Sequence, residues 1–203
     1  MTKETPVEQA FFNYEEERNN LITRMCNLHI SRISELPQLD LYLDQVLSLV
    51  NNELAFMNLD GETIVTGSMV NNYVKQKLVP APIKKRYTAE HIASLLYVCS
   101  FKKVLSIAQI KNLKIACHQS EVDICAAYNE LAIALEWAIA SEFKQNHAIG
   151  FLQGKNVPDV TITSVAGKQI YDESADLLAA GIGLLAKKIY VEQILQLEMK
   201  KLS

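Results

Sequence analysis

Three observations predict a mainly α-helical fold. Apolar residues recur at three- and four-residue spacing through most of the 203-residue chain. Seven glycines and five prolines are few, and no β-branched alternation runs for long, which disfavours a turn-rich all-β protein. Hydrophobic content of 49% and charged content of 21% sit in the ordinary globular range, with length for one large or two small domains.

The first helix is predicted from Pro6 to about Ile33. Phe11, Tyr14, Leu21, Met25 and Leu28 make its apolar stripe, with Arg18 the one polar intrusion. Glu15, Glu16 and Glu17 lie on the outer side as ordinary solvated acids. The stripe suits either the C-terminal half of the chain or a second copy. Glu35-Leu36-Pro37 breaks the pattern, and a further helix is predicted from near Asp40 to Phe56, with Leu41, Val46, Leu49, Val50 and Leu54 on its apolar side. Asn58-Leu59-Asp60-Gly61 reads as a turn.

A short helix over Ser68 to Val79 comes next. Val70, Tyr73, Val74 and Leu78 share one face, while Asn71, Asn72, Lys75 and Gln76 lie mainly on the other. Pro80 stops it, because proline lacks the amide hydrogen and clashes with the preceding turn. Pro80-Ala81-Pro82 stiffens an extended arm that carries Lys84, Lys85 and Arg86 in a row. After Tyr87 and Thr88 a second helix begins, with Ile92, Leu95, Leu96, Val98 and Cys99 in its apolar pattern.

Charge singles out this central stretch. Between Thr63 and Ala116 there are nine basic residues and one acid, Glu90, so the local balance is 9 − 1 = +8. The whole chain is −3, which leaves −3 − 8 = −11 for everything outside it. Positive charge pooled in an otherwise acidic protein is the footprint of a polyanion-binding surface. The bland reading, a solvated face of ordinary lysines, would interleave them with glutamates.

The same residues carry a family resemblance. Val70-Asn71-Asn72-Tyr73, Leu78-Val79-Pro80, Arg86-Tyr87-Thr88, Leu95-Leu96 and Leu105-Ser106-Ile107-Ala108-Gln109-Ile110 follow the order and spacing of the MerR-type winged helix-turn-helix. The wider string from Glu35-Leu36-Pro37 through Asp40 to Val46 more closely resembles an uncharacterised branch of that superfamily, catalogued only as a domain of unknown function. The resemblance implies a DNA-binding transcription regulator, with the helix around Ser68 to Val79 in the major groove and the basic strip as its wing. It divides the chain into an N-terminal helix (1–34), a winged helix-turn-helix module (35–115) and a C-terminal helical effector or dimerisation region (116–203). Asn71 and Asn72 would read bases, since an asparagine amide pairs bidentately with adenine. Lys84, Lys85 and Arg86, with Lys75 or Lys77, would hold phosphates. Tyr73 would pack inward or touch a phosphate through its hydroxyl. Lys77 stands where the pattern has a glycine, so no left-handed helix cap is expected there. The family pattern also implies a homodimer on double-stranded DNA. A repurposed module that holds an acidic protein partner or senses a ligand is the alternative.

The C-terminal half is predicted as two long helices, about Ser120 to His147 and about Ser174 to Lys201. Ile124, Tyr128, Leu131, Ile133, Leu135, Trp137, Ala138 and Phe143 make the first apolar around much of its circumference. The joining stretch from Gly150 to Gly167 holds Gly154, Pro158 and a β-prone run, Val160 to Ile162. A small-molecule effector pocket between these helices, a dimer interface or plain core packing all fit. The apolar run Leu177 to Ala186 is far short of the ~20 residues that cross a bilayer, so it is expected as a buried helix. Its Gly181 and Gly183 require another helix close by.

No catalytic chemistry is evident. Cys117, His118 and Cys125 lack zinc spacing and a fourth ligand, so no metal is expected. Glu90 and His91 abut at a helix start and point to different sides, and Gly181-Ile182-Gly183 follows a helical pattern rather than a strand, unlike a dinucleotide site. No enzyme and no cofactor are expected. Four scattered cysteines without a Cys-x-x-Cys pair, and a polar N-terminus without a signal peptide, make a reducing cytoplasm the expected location.

Overall fold

The computed structural model describes residues 6–59, 62–117, 123–145, 162–163, 169–170 and 173–202. Within them are α1 (Pro6–Cys26), α2 (Leu43–Glu53), α3 (Gly67–Lys75), α4 (Ala89–Lys102), α5 (Ile107–Cys117), α6 (Ile124–Gln145) and α7 (Glu173–Leu202). Two residues of β1 (Ile162–Thr163) pair antiparallel with two of β2 (Gln169–Ile170), Ile162 facing Ile170. The protein is mainly helical, as the periodicity predicts.

α4 lies at the centre because its sequence leaves no polar stripe. Every residue from His91 to Phe101 is buried. It packs on α2, α5, α6 and α7, while α6 and α7 run along each other and α1 lies over both. One buried cluster extends from Leu21 through Val50, Leu96 and Leu135 to Leu197. The α1 stripe therefore faces the chain's own C-terminal helices. A side-chain methyl at Gly181 would lie 2.9 Å from Cε1 of Phe101, so α7 comes against α4 there, as the glycine predicts.

Several boundaries differ from expectation for identifiable reasons. α1 ends at Cys26, not Ile33, because the following backbone groups find partners outside a helix. The Ile30 amide donates to Glu136 Oε1 (2.6 Å), the Ile33 amide donates to Asn129 Oδ1 (2.9 Å), and the Ser31 carbonyl accepts from the Tyr128 hydroxyl (2.8 Å). α2 starts at Leu43 rather than Asp40, since Leu41 and Tyr87 exchange two backbone bonds of 2.9 Å. α3 stops at Lys75, before Pro80 could act. The run from Leu177 to Ala186 is amphipathic rather than buried all round: Leu178, Ile182, Leu185 and Ala186 are inside, Leu177 and Leu184 exposed. On α6, Ile133 and Trp137 are exposed as well. Among the described residues no helix is long and apolar enough to cross a membrane. His118, most of the Gly150–Gly167 stretch and the side chain of Phe11 lie outside the described residues.

Candidate nucleic-acid interface

Asn51 sets where α3 begins. Its side-chain oxygen accepts from the amides of Ile64 (2.8 Å) and Val65 (3.2 Å), and its nitrogen donates to the carbonyls of Leu47 (2.7 Å) and Val65 (3.0 Å). One side-chain amide in the last turn of α2 thus straps the incoming segment onto that helix. Thr66 then caps α3, its hydroxyl accepting from the Met69 amide. Val70 and Tyr73 are buried on the inner face, Asn71, Asn72 and Lys75 exposed on the outer one.

The end of α3 corrects the expected absence of a left-handed cap. Lys77 adopts φ 60°, its amide bonds the Val74 carbonyl (3.0 Å) and the Leu78 amide bonds that of Tyr73 (2.9 Å). This paired pattern closes a helix around a left-handed residue, here a lysine in place of glycine. Lys114, reaching over from α5, donates to the Leu78 carbonyl (3.1 Å). Burial lowers the pKa of that ammonium, with Glu90 opposing the shift.

Beyond the prolines the chain makes a two-residue hairpin. Ile83 and Arg86 exchange backbone bonds of 3.0 and 2.9 Å, and the central Lys84 and Lys85 have φ 49° and 63°. Both central residues at positive φ define the type I′ turn, whose usual occupants are asparagine and glycine. Its base is fixed twice. The Arg86 guanidinium stacks 3.6 Å from the Tyr42 ring centre and donates to the Asp40 carbonyl (3.2 Å). On the other side, His91 Nδ1 accepts from the Thr88 amide (3.1 Å), which leaves Nε2–H to donate to the Ala81 carbonyl (3.0 Å).

Lys77, Lys84 and Lys85 are the non-glycine residues at positive φ among the described residues, and all three are exposed lysines. Each such conformation costs on the order of 1–3 kcal/mol. With Lys75 they also share the lack of a carboxylate partner among the described residues. The wider basic set is smaller than its nine members suggest: Lys103 faces Glu192 (3.4 Å) and Glu62 (3.9 Å), and Lys114 is half-buried.

Of the eight sequence-predicted site residues, Asn71, Asn72, Lys75, Lys77, Lys84 and Lys85 are exposed and Arg86 is half-buried. Tyr73 is the exception. It is 2% exposed with its hydroxyl unpartnered inside, and burial, with a contribution from Cys99, pushes its pKa up to about 12. It is a core residue and no contact for a phosphate. Tyr42 and Lys114 escape sequence reasoning because their partners Arg86 and Leu78 lie far along the chain, while Asn51 and His91 bond mainly to nearby backbone groups, which carry no side-chain pattern. Only Asn51, a polar residue beside Val50 on an apolar helix, leaves a local signal.

No curated protein and no solved structure matches the chain. Residues 31–131, which include every candidate interface residue, match the family model of a domain of unknown function, DUF1836.

Proposed function

We propose that the protein is a DNA-binding transcription regulator built on a MerR-like winged helix-turn-helix. α2 and α3 are the helix-turn-helix, α3 enters the major groove, and the Ile83–Arg86 hairpin is the wing. Asn71 and Asn72 read bases, while Lys75, Lys77, Lys84, Lys85 and Arg86 neutralise phosphates. The regulator acts as a homodimer on a pseudo-palindromic site.

One observation carries this reading: lysine occupies three left-handed positions where glycine would relieve strain, and none of the three meets an acid among the described residues. Strain kept on an exposed surface points to what that surface holds. The polar outer face of α3 lies between the Asn51 strap and the Lys77 cap, consistent with a presented reading element.

The test is recovery of bound fragments from sheared genomic DNA, followed by titration across salt. With five phosphate contacts, log K against log salt should slope at roughly −4 to −5 per protomer. Lys84, Lys85 and Arg86 all changed to glutamate should abolish recovery. A salt-insensitive complex, or no recovery at low ionic strength, removes the proposal.

A further inference from the structure

A cavity of about 690 Å³ lies between α1, the Ala55–Met57 turn and the C-terminal half of α7, on residues the proposed DNA contacts do not use. Its size falls within the range of small-molecule sites. Leu21, Phe56 and Leu197 give it apolar walls, and Leu21 and Leu197 are buried.

Gln193 supplies the feature that apolar walls do not explain. It is 7% exposed and lines the cavity, and its amide nitrogen donates to the carbonyls of Asn58 (3.2 Å) and Phe56 (3.4 Å). Two acceptor carbonyls fix which end of the amide is nitrogen. The amide oxygen has no protein donor among the described residues and is not sealed from solvent, so a molecule that fills the cavity takes it out of water. Arg24 lines the same cavity from α1, exposed and without a carboxylate partner among the described residues. Glu17 and Lys200 line the cavity as well.

We propose that this cavity binds a small organic carboxylate with an apolar, ring-sized body and an N–H or O–H group that donates to the Gln193 oxygen while Arg24 holds the carboxylate. The unpaired acceptor selects for a donor, since a ligand without one leaves the oxygen desolvated and unbonded. Arg24 selects for the anion through a charge-assisted bond. Occupancy is also felt by the strap that leads to α3. Gln193 holds the Phe56 and Asn58 carbonyls, the Asn58 side chain donates to the Glu62 carbonyl (2.8 Å), and Lys103 links Glu62 to Glu192. That last link to DNA rests on the proposed function; the binding site does not.

Calorimetric titration of the full chain without nucleic acid tests the site. The probes are indole-3-acetate and 4-hydroxyphenylacetate, with phenylacetate lacking the donor and indole lacking the carboxylate. Saturable binding of a donor-bearing carboxylate is expected, weakened roughly tenfold or more when either group is missing. Arg24→Ala should weaken it to a similar degree, and Ala55→Trp, at an exposed position on the wall, should block it. Both variants should melt as the parent does. No heat from either donor-bearing carboxylate at concentrations up to about 10 mM overturns the proposal. So does binding that Arg24→Ala and Ala55→Trp leave unchanged, which would place it elsewhere.

Discussion

The guanidinium of Arg86 stacks 3.6 Å from the ring centre of Tyr42, joining the base of a tight hairpin to the start of α2. Forty-four residues separate the two in sequence, and Tyr42 is itself half exposed. The contact therefore does little for the core and much for where the lysine-bearing turn sits relative to α3. A surface cation–π pair contributes about 0.5–1 kcal/mol. The Tyr42 hydroxyl also accepts from Arg86 Nη2 (2.7 Å), so Tyr42→Ala should lower stability by about 1–2 kcal/mol in a denaturant titration and weaken DNA binding several-fold. Tyr42→Phe, which keeps the ring but loses that hydroxyl, should fall between the parent and the alanine variant.

His91 holds the other side of the same hairpin. It is 3% exposed, with Nδ1 on Thr88 and Nε2 on the Ala81 carbonyl. Truncation to alanine leaves the Thr88 and Ala81 groups without their partners and opens a gap under Tyr87, whose ring meets the imidazole edge-on. Loss of about 2–4 kcal/mol is expected for His91→Ala by chemical denaturation. Amide exchange should show the Ala81–Tyr87 backbone losing protection before the rest of the protein.

Gly181 reports on how tightly α7 meets α4. Alanine would gain about 1 kcal/mol of helix propensity, but its methyl would lie 2.9 Å from a ring with no exposed surface. Overpacking of this kind costs about 1–3 kcal/mol, so Gly181→Ala should destabilise by about 1 kcal/mol net. In a Phe101→Leu background the clash is gone, and the same substitution should become neutral or stabilising in a double-mutant cycle.

Helix identity was legible wherever apolar residues recur on one face, as in Val46 and Val50 of α2 or the run from Ile92 to Phe101 of α4. The outer and inner faces of α3 were legible for the same reason. What periodicity cannot supply is a bond between distant residues. The early end of α1 depends on Asn129 and Glu136, about a hundred residues on, and the late start of α2 depends on Tyr87. Propensity misleads at Lys77: a glycine-free stretch argues against a left-handed cap, yet the backbone takes that conformation when the buried Tyr73 and Leu78 on either side are anchored. The cavity was invisible because its walls come from three separate segments.

Glu136 gives the molecule a predictable acid sensitivity. Burial pushes its carboxyl up, but the Arg32 guanidinium at 2.7 Å and the Ile30 amide outweigh that and hold its pKa below the ordinary value. A carboxylate depressed in the folded state adds stability above its unfolded pKa, and that stability drains away as pH falls through the folded value. Glu136→Gln should thus cost stability at neutral pH. The gap between parent and variant should narrow below about pH 4, as urea midpoints measured across a pH series would show.

The three left-handed lysines give the sharpest separation of stability from function. Replacing Lys77, Lys84 or Lys85 with glycine removes the backbone strain at φ 60°, 49° or 63°, while glycine's greater freedom in the unfolded chain offsets part of the gain. A net rise of up to about 1 kcal/mol per site is expected in the denaturation free energy. Each replacement also removes one cation from the proposed phosphate-binding face, so affinity should fall while the salt slope shrinks by about 0.9 per site. Were these lysines only solvated surface, glycine would raise stability with no change in DNA affinity. A protein made more stable and a weaker binder by the same substitution is the outcome expected of strain retained for a polyanion.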